Sequence, residues 1–129
     1  MKNPADLTLT EITRALRRRT FSSTELTQWM LERIARWQGV LNAFVRVEAD
    51  EALAAAKAAD RALARGSATG PLHGVPLAHK DMYYVKGKVS ECGSKVRKGF
   101  VAPATSTALA RLAAAGADDG RVEAPPVRF

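Results

Sequence analysis

Cysteine is almost absent: Cys92 stands alone among 129 residues. That excludes an intramolecular disulfide framework and a Cys-rich zinc site. Long apolar runs are missing as well. None approaches the roughly 18 residues needed to span a bilayer, and Met1-Lys2-Asn3-Pro4-Ala5-Asp6 lacks the apolar stretch of a secretory signal. A cytoplasmic protein with no membrane partner is expected. Aromatic residues make up only 6%, and much of the 47% hydrophobic content is alanine. A core of Ala and Leu buries little area per residue, so the length and composition describe one modest domain with a thin core.

Acidic residues are outnumbered, 13 against 20 basic ones, for a formal net charge of +7. Four arginines (Arg14, Arg17, Arg18, Arg19) share one helical stretch, and six basic residues fall between Lys80 and Lys98. Neither an aromatic RNA-binding motif nor a zinc finger accompanies them, so solvated faces explain the charge and nucleic acid is not expected as a partner.

Two amphipathic helices open the chain. Thr8 precedes Glu11 at capping-box spacing, and Leu9, Ile12 and Leu16 then recur on one face. Arg17 to Arg19 suit a helix C-terminus, where cations meet the negative end of the dipole. Ser22 and Glu25 repeat the capping box, with Phe21 placed as a hydrophobic staple. Leu26, Trp29, Met30, Ile34 and Trp37 form a stripe read as ordinary core, ending near Gln38-Gly39. Ala43 to Val47 alternates like a short strand. Glu48 to Arg65 is an alanine-dense helix stopped by Gly66. Val75 to His79 reads as a strand running into Lys80-Asp81, with Pro76 at its start or on an unpaired side. Thr105 or Ser106 caps a last helix through Leu109 and Leu112, stopped by Gly116.

Lys80 is the leading candidate for chemistry, because a strand end feeding a loop presents side chains to a site. A lysine acts as a base only from its neutral form, about 0.1% of an unperturbed population near neutral pH. Asp81 falls on the opposite side of the pleat and need not pair with it. A phosphate loop is excluded, since its lysine follows the last glycine directly whereas five residues separate Gly74 from Lys80. His73, His79 and Cys92 are not expected to combine as a thiol site, and His73 is expected to bond backbone. Ser90 and Ser94 read as ordinary loop serines.

Gly70-Pro71-Leu72-His73-Gly74-Val75-Pro76 through Lys80-Asp81, then Gly87 and Cys92-Gly93-Ser94, resembles the signature block of the amidase signature family. Leu7 to Trp37 is similar to that family's two N-terminal helices, Leu41 to Phe44 to its L-N-A-F element, and Ala52 to Gly66 to its alanine-rich helix. Ala110 to Ala117 is similar to its A-R-L-x-x-A-G-A helix end, so the resemblance covers about residues 7 to 117. It implies an α/β class: N-terminal helices plus the first strands of an α/β/α mixed sheet, here incomplete. It also implies hydrolysis of small-molecule amides by a Ser–cis-Ser–Lys triad, with Lys80 as the lysine and no metal or organic cofactor.

Residues 118–129 depart from the pattern. Asp118 and Asp119 stand where an apolar pair is expected, and Pro125-Pro126 argues against a central strand. The expected division is therefore 1–117, amidase-like, and 118–129, a non-matching tail, as in a truncated or frameshifted frame. Both triad serines fall outside the sequence, so the chain is expected to be inactive alone. A free-standing amidase is the preferred origin. The alternatives are a fragment of a tRNA-dependent amidotransferase A subunit, or a non-catalytic subunit completed by another polypeptide or a second copy. With two strand candidates only, a helix-dominated state is expected, mobile over 82–104 and 118–129.

Overall fold

The computed structural model describes residues 4–124; for Ala5 and residues 118–124 only the backbone is described. A short 3-10 turn (Pro4–Asp6) leads into helices α1 (Leu9–Arg17) and α2 (Ser23–Leu41), strand β1 (Arg46–Val47), helix α3 (Ala49–Ala64) and strand β2 (Pro76–Lys80). A 3-10 turn at Lys95–Arg97, helix α4 (Thr107–Ala114) and strand β3 (Asp118–Ala124) complete the chain.

Both expected capping boxes are formed. Thr8 and Glu11, then Ser22 and Glu25, exchange side-chain and backbone hydrogen bonds at the starts of α1 and α2. Helix α1 gives way at Arg18, and Arg19 takes a left-handed conformation from which its guanidinium donates to the Leu63 carbonyl near the end of α3. A cation there meets the negative end of the α3 dipole. Helix α2 runs past Gly39, where the sequence placed its end. Gln38 explains the extension: its amide both donates to and accepts from the Phe44 backbone, and Asn42 turns left-handed as the cap.

The start of α2 has a partner the sequence did not announce. The Asp60 carboxylate, from α3, accepts the Ser23 and Thr24 backbone N–H groups at 2.7 and 3.0 Å and the Thr24 hydroxyl at 2.6 Å. An anion at a helix N-terminus satisfies donors that the helix itself leaves open. Helices α2 and α3 are thereby locked together, and α3 lies in turn against β3. Its buried face is Ala52 and Ala56, small enough for close approach.

The core is as thin as the composition implied. Leu16, Phe21 and Leu26 are buried, with Leu7, Ile12, Trp29, Met30 and Val75 packed around them. Phe21 meets Trp29 edge-to-face with ring centroids 5.5 Å apart. The α2 stripe is core only in its first half, for Trp37 is 48% exposed and Leu41 63% exposed.

Three strands form a mixed sheet in the order β1-β3-β2. β3 runs antiparallel to β1 and parallel to β2, with Val122 opposite both Val47 and Ala78. This corrects the expectation that residues 118–129 form no strand and that the chain holds only two. The described residues of β3 run from Asp118 to Ala124. Pro125 and Pro126 lie outside the described residues. Pro76 sits at the first position of β2, as required.

The parallel pairing is prepared by the turns that precede it. Leu72 N–H donates to Ala115 O and Gly74 N–H to Gly116 O, which lays the two entering segments side by side. Gly74 and Gly116 both have positive φ, and a side chain on Gly116 would meet the His73 backbone at 3.0 Å. The buried Ser23 hydroxyl donates to Gly74 O at 2.6 Å and so ties α2 to the same turn. Ser23→Ala leaves that carbonyl buried without its donor, and a loss of about 2 kcal/mol is expected. Urea unfolding followed by circular dichroism measures it as a lower midpoint at unchanged slope.

Candidate active site

β2 carries Lys80 at its last position. The Lys80 carbonyl accepts the Tyr83 N–H at 3.0 Å, so the chain turns at once out of the sheet. The side chain is half-buried, and among the described residues no hydrogen bond or ion pair reaches its ammonium group. Asp81, next along, is buried at 5% exposure and faces elsewhere. One carboxylate oxygen accepts the Cys92 N–H at 3.1 Å, while the Asp81 carbonyl accepts the Ser90 hydroxyl at 2.9 Å and the Cys92 thiol at 3.4 Å. Among the described residues the other carboxylate oxygen is buried and has no partner. The Asp81 carboxylate is thus held by the loop, and no ion pair joins it to Lys80 among the described residues.

That loop was expected to be mobile between residues 82 and 104. The structure gives it a defined hydrogen-bonded form instead. Gly87 N–H donates to Ala102 O, Ala102 N–H to Lys88 O and Ser90 N–H to Phe100 O, around an antiparallel bridge between Val89 and Val101. The Glu91 carboxylate accepts Gly99 N–H at 2.8 Å. The Arg97 guanidinium lies 4.2 Å from the centre of the Phe100 ring and donates to the Tyr84 hydroxyl. Two residues of the basic cluster, Lys88 and Arg97, are therefore engaged inside the fold.

The remaining candidates separate. His73 bonds the backbone as expected: Nε2 lies 2.9 Å from Ala59 O, and Nδ1 accepts the Thr69 N–H at 3.2 Å. His79 is buried, with Nδ1 against Lys80 O at 3.1 Å and Nε2 without a partner. No hydrogen bond joins either imidazole to Cys92. Ser94 serves as backbone for the 3-10 turn. Ser90 is more than an ordinary loop serine, since it holds the Asp81 carbonyl; nothing in its local sequence marks it. Among the described residues no three His, Cys, Asp or Glu side chains are placed to hold a metal ion, and no helix is long and apolar enough to cross a membrane.

A cavity of about 550 Å³ opens between α2 and the start of β2. Met30, Ile34, Trp37, Leu41, Phe44 and Leu77 line it, and its lining stops at Ala78, two residues before Lys80. It is an apolar hollow beside the lysine rather than a polar pocket around it.

Known proteins extend this picture. The model of the Amidase family matches residues 25–118, well over half of the chain. The chain belongs to the amidase family. The family match spans the strand that carries Lys80, the Asp81–Cys92 contacts and α4. The chain is 48% identical over 111 residues to the glutamyl-tRNA(Gln) amidotransferase A subunit of Pseudomonas fluorescens Pf-5, covering 86% of this chain and 23% of the relative. It is 47% identical over 109 residues to that of Azoarcus sp. BH72, covering 84% and 22%. Among solved structures, an amidase superposes with TM-score 0.80 at 31% identity, covering 91% of this chain and 27% of that one. The peptide amidase of Stenotrophomonas maltophilia gives 0.77 at 30%, covering 94% and 24%. The chain spans about a quarter of the length of the relatives it matches. The α/β amidase fold expected from the sequence is thus present in part, with an incomplete sheet.

One ion-pair cluster fastens the amidase loop to α3. Lys88 Nζ lies 2.8 Å from the Glu51 carboxylate and 3.3 Å from Glu48. The hydrogen bond to Glu51 is the largest influence and raises the Lys88 pKa above the ordinary lysine value; partial desolvation opposes it, and Glu48 adds to it. A pKa raised by folding stabilises the fold below the unfolded lysine's pKa, and that stability is lost as pH rises through the folded one. Lys88→Met is therefore expected to cost about 0.5 kcal/mol at neutral pH, as for a partly exposed pair. The gap between the two proteins should narrow as pH rises past the ordinary lysine range, read by thermal melts across pH.

Proposed function

We propose that this chain supplies the lysine arm of an amidase-type site, with Lys80 as the base of a Ser–cis-Ser–Lys triad and both serines contributed by the rest of such a domain. Residues 1–117 are the amidase portion in this reading, and 118–129 a segment outside the family's sequence pattern. The carrying observation is the ammonium of Lys80, free of any counter-ion among the described residues at the end of a half-buried strand. A lysine with no carboxylate beside it is not tied up in an ion pair, which leaves its nitrogen open to a serine hydroxyl. Neutral Lys80 takes the proton of the bridging serine, which takes that of the nucleophilic serine. The nucleophile's oxygen bonds to the amide carbon, the C–N bond breaks, and the proton leaves with the amine. Water then cleaves the ester. The substrate class is a small-molecule amide, the setting cytoplasmic, and no metal or organic cofactor takes part.

A specific observation favours a second origin within this reading. Identity reaches 46–48% with curated relatives that are A subunits of glutamyl-tRNA(Gln) amidotransferases, against 30–31% with the solved amidases. The amidotransferase origin therefore outweighs the free-standing amidase preferred from the sequence. In that case the lysine arm belongs to a subunit that works within a glutamyl-tRNA(Gln) amidotransferase.

The apolar hollow between α2 and β2 and the outer edge of β2, unpaired among the described residues, point to what completes the site. Both suit the remaining three-quarters of an amidase-type domain, adding a strand to β2 and an apolar element over Trp37 and Leu41. The test is labelling by a fluorophosphonate. The chain alone should take up none. Mixed with a polypeptide carrying the portion of the Pseudomonas relative that follows the matched segment, it should support labelling, and Lys80→Ala should slow that labelling at least ~100-fold. Stoichiometric labelling of the lone chain, or undiminished labelling with Lys80→Ala, overturns the proposal.

A further inference from the structure

We infer that Asp81 is a positioning residue: through its contacts with Ser90 and Cys92 it fixes the backbone from which the Lys80 side chain projects. The inference rests on the reading of Lys80 as the base, and deepens it. Lys80 is the last residue of β2, and a strand end is free to fray unless something holds the next residue. Three contacts hold Asp81. Its carbonyl accepts the Ser90 hydroxyl and the Cys92 thiol, and its carboxylate accepts the Cys92 N–H. The anchor is firm on the loop side too, where Ser90 is buried and its N–H is bonded to Phe100 O. On the near side, the Lys80 carbonyl is engaged by Tyr83 N–H and lies against His79 Nδ1. The Lys80 backbone is therefore held from both directions, and the freedom left to it lies in its side chain.

The chemistry of the contact argues against a purely structural part. Asp81 supplies a buried oxygen acceptor for the Cys92 N–H. Among the described residues its second carboxylate oxygen is buried with no donor, an arrangement native folds seldom keep without use. A side chain engaged by the loop in this way, with no ion pair to Lys80 among the described residues, can hold the loop without neutralising the ammonium. A carboxylate on the lysine's own face would pair with it and abolish its use as a base.

The test uses the full chain, with its lysines converted to 13C-dimethyl-lysine and the Lys80 signal assigned from Lys80→Arg. Amide exchange at Cys92 is read in parallel. In the parent, the Lys80 methyl signal should stand apart from those of the exposed Lys86, Lys95 and Lys98. Asp81→Ala should collapse it onto that group and speed Cys92 exchange at least tenfold. Asp81→Asn keeps an oxygen acceptor of the same shape and should restore both readouts. A Lys80 signal that is unchanged in Asp81→Ala while Cys92 exchange rises overturns the inference, leaving Asp81 only a loop anchor. A parent Lys80 signal already merged with the exposed lysines overturns it as well. Should Asp81→Ala lose its helical signal, Ser90→Ala decides by the same two readouts. These measurements need no catalysis, so they fail separately from the fluorophosphonate labelling that tests Lys80 as the base.

Discussion

The clasp between the turn at Gly74 and the end of α4 governs the rest of the fold. Two backbone bonds, Leu72 to Ala115 and Gly74 to Gly116, bring the entries to β2 and β3 together before either strand begins. Parallel strands distant in sequence have no hairpin to set their register, so register must come from elsewhere. Here it comes from two turns whose glycines allow backbone to lie on backbone. A Cβ at Gly70 would fall 2.5 Å from Ala115 O, so the approach admits no side chain at that position either. Ser23 joins the same turn to α2, and Asp60 joins α2 to α3. A small set of polar contacts thus sets the relation of helices to sheet, which the thin Leu16–Phe21–Leu26 core would specify poorly by itself.

That arrangement explains why Lys80 lies where it does. β2 begins at a proline two residues beyond the clasp and ends four residues later at the lysine. A strand of this length, anchored at its first residue and pinned just beyond its last by Asp81, has little freedom to slide. The loop beyond serves the same end. Its bridge, its Arg97–Phe100 contact and the Lys88 pairing with Glu48 and Glu51 return the chain to α3 and keep Ser90 and Cys92 against Asp81. Two residues of what looked like a basic surface in the sequence, Lys88 and Arg97, thus serve as scaffolding for one strand end.

What could be read in the sequence follows the range of the interactions. The capping boxes at Thr8 and Ser22, the stops at Gly66 and Gly116 and the position of Pro76 are local devices, visible within a few residues. The signature block located Lys80 and its family for the same reason. The features that escaped are all non-local. Asp60 meets α2 across 37 residues, and Gln38 reaches past Asn42 to carry α2 through Gly39. β3 forms although two acidic residues, Asp118 and Asp119, open it, because its register is imposed by the backbone at Gly116. Ser90 became informative only once Asp81 was seen beneath it.

The α2 stripe shows what a quarter of an amidase fold can and cannot do. Its first half is buried by α1 and by the turn into β2, which this chain contains. Its second half, from Ile34 to Leu41, faces the hollow over β2. The periodicity is continuous through both halves, so the sequence specifies one apolar face along the whole helix, and the chain covers only part of it. The same discontinuity recurs in the sheet, where β3 is paired on both sides while β2 is paired on one. Helix face and strand edge adjoin, and Lys80 ends that strand. The hollow and the end of β2 are therefore close neighbours in the chain, for the lining stops two residues before Lys80. An element that covered the hollow and extended the sheet would, by that geometry, arrive next to the lysine.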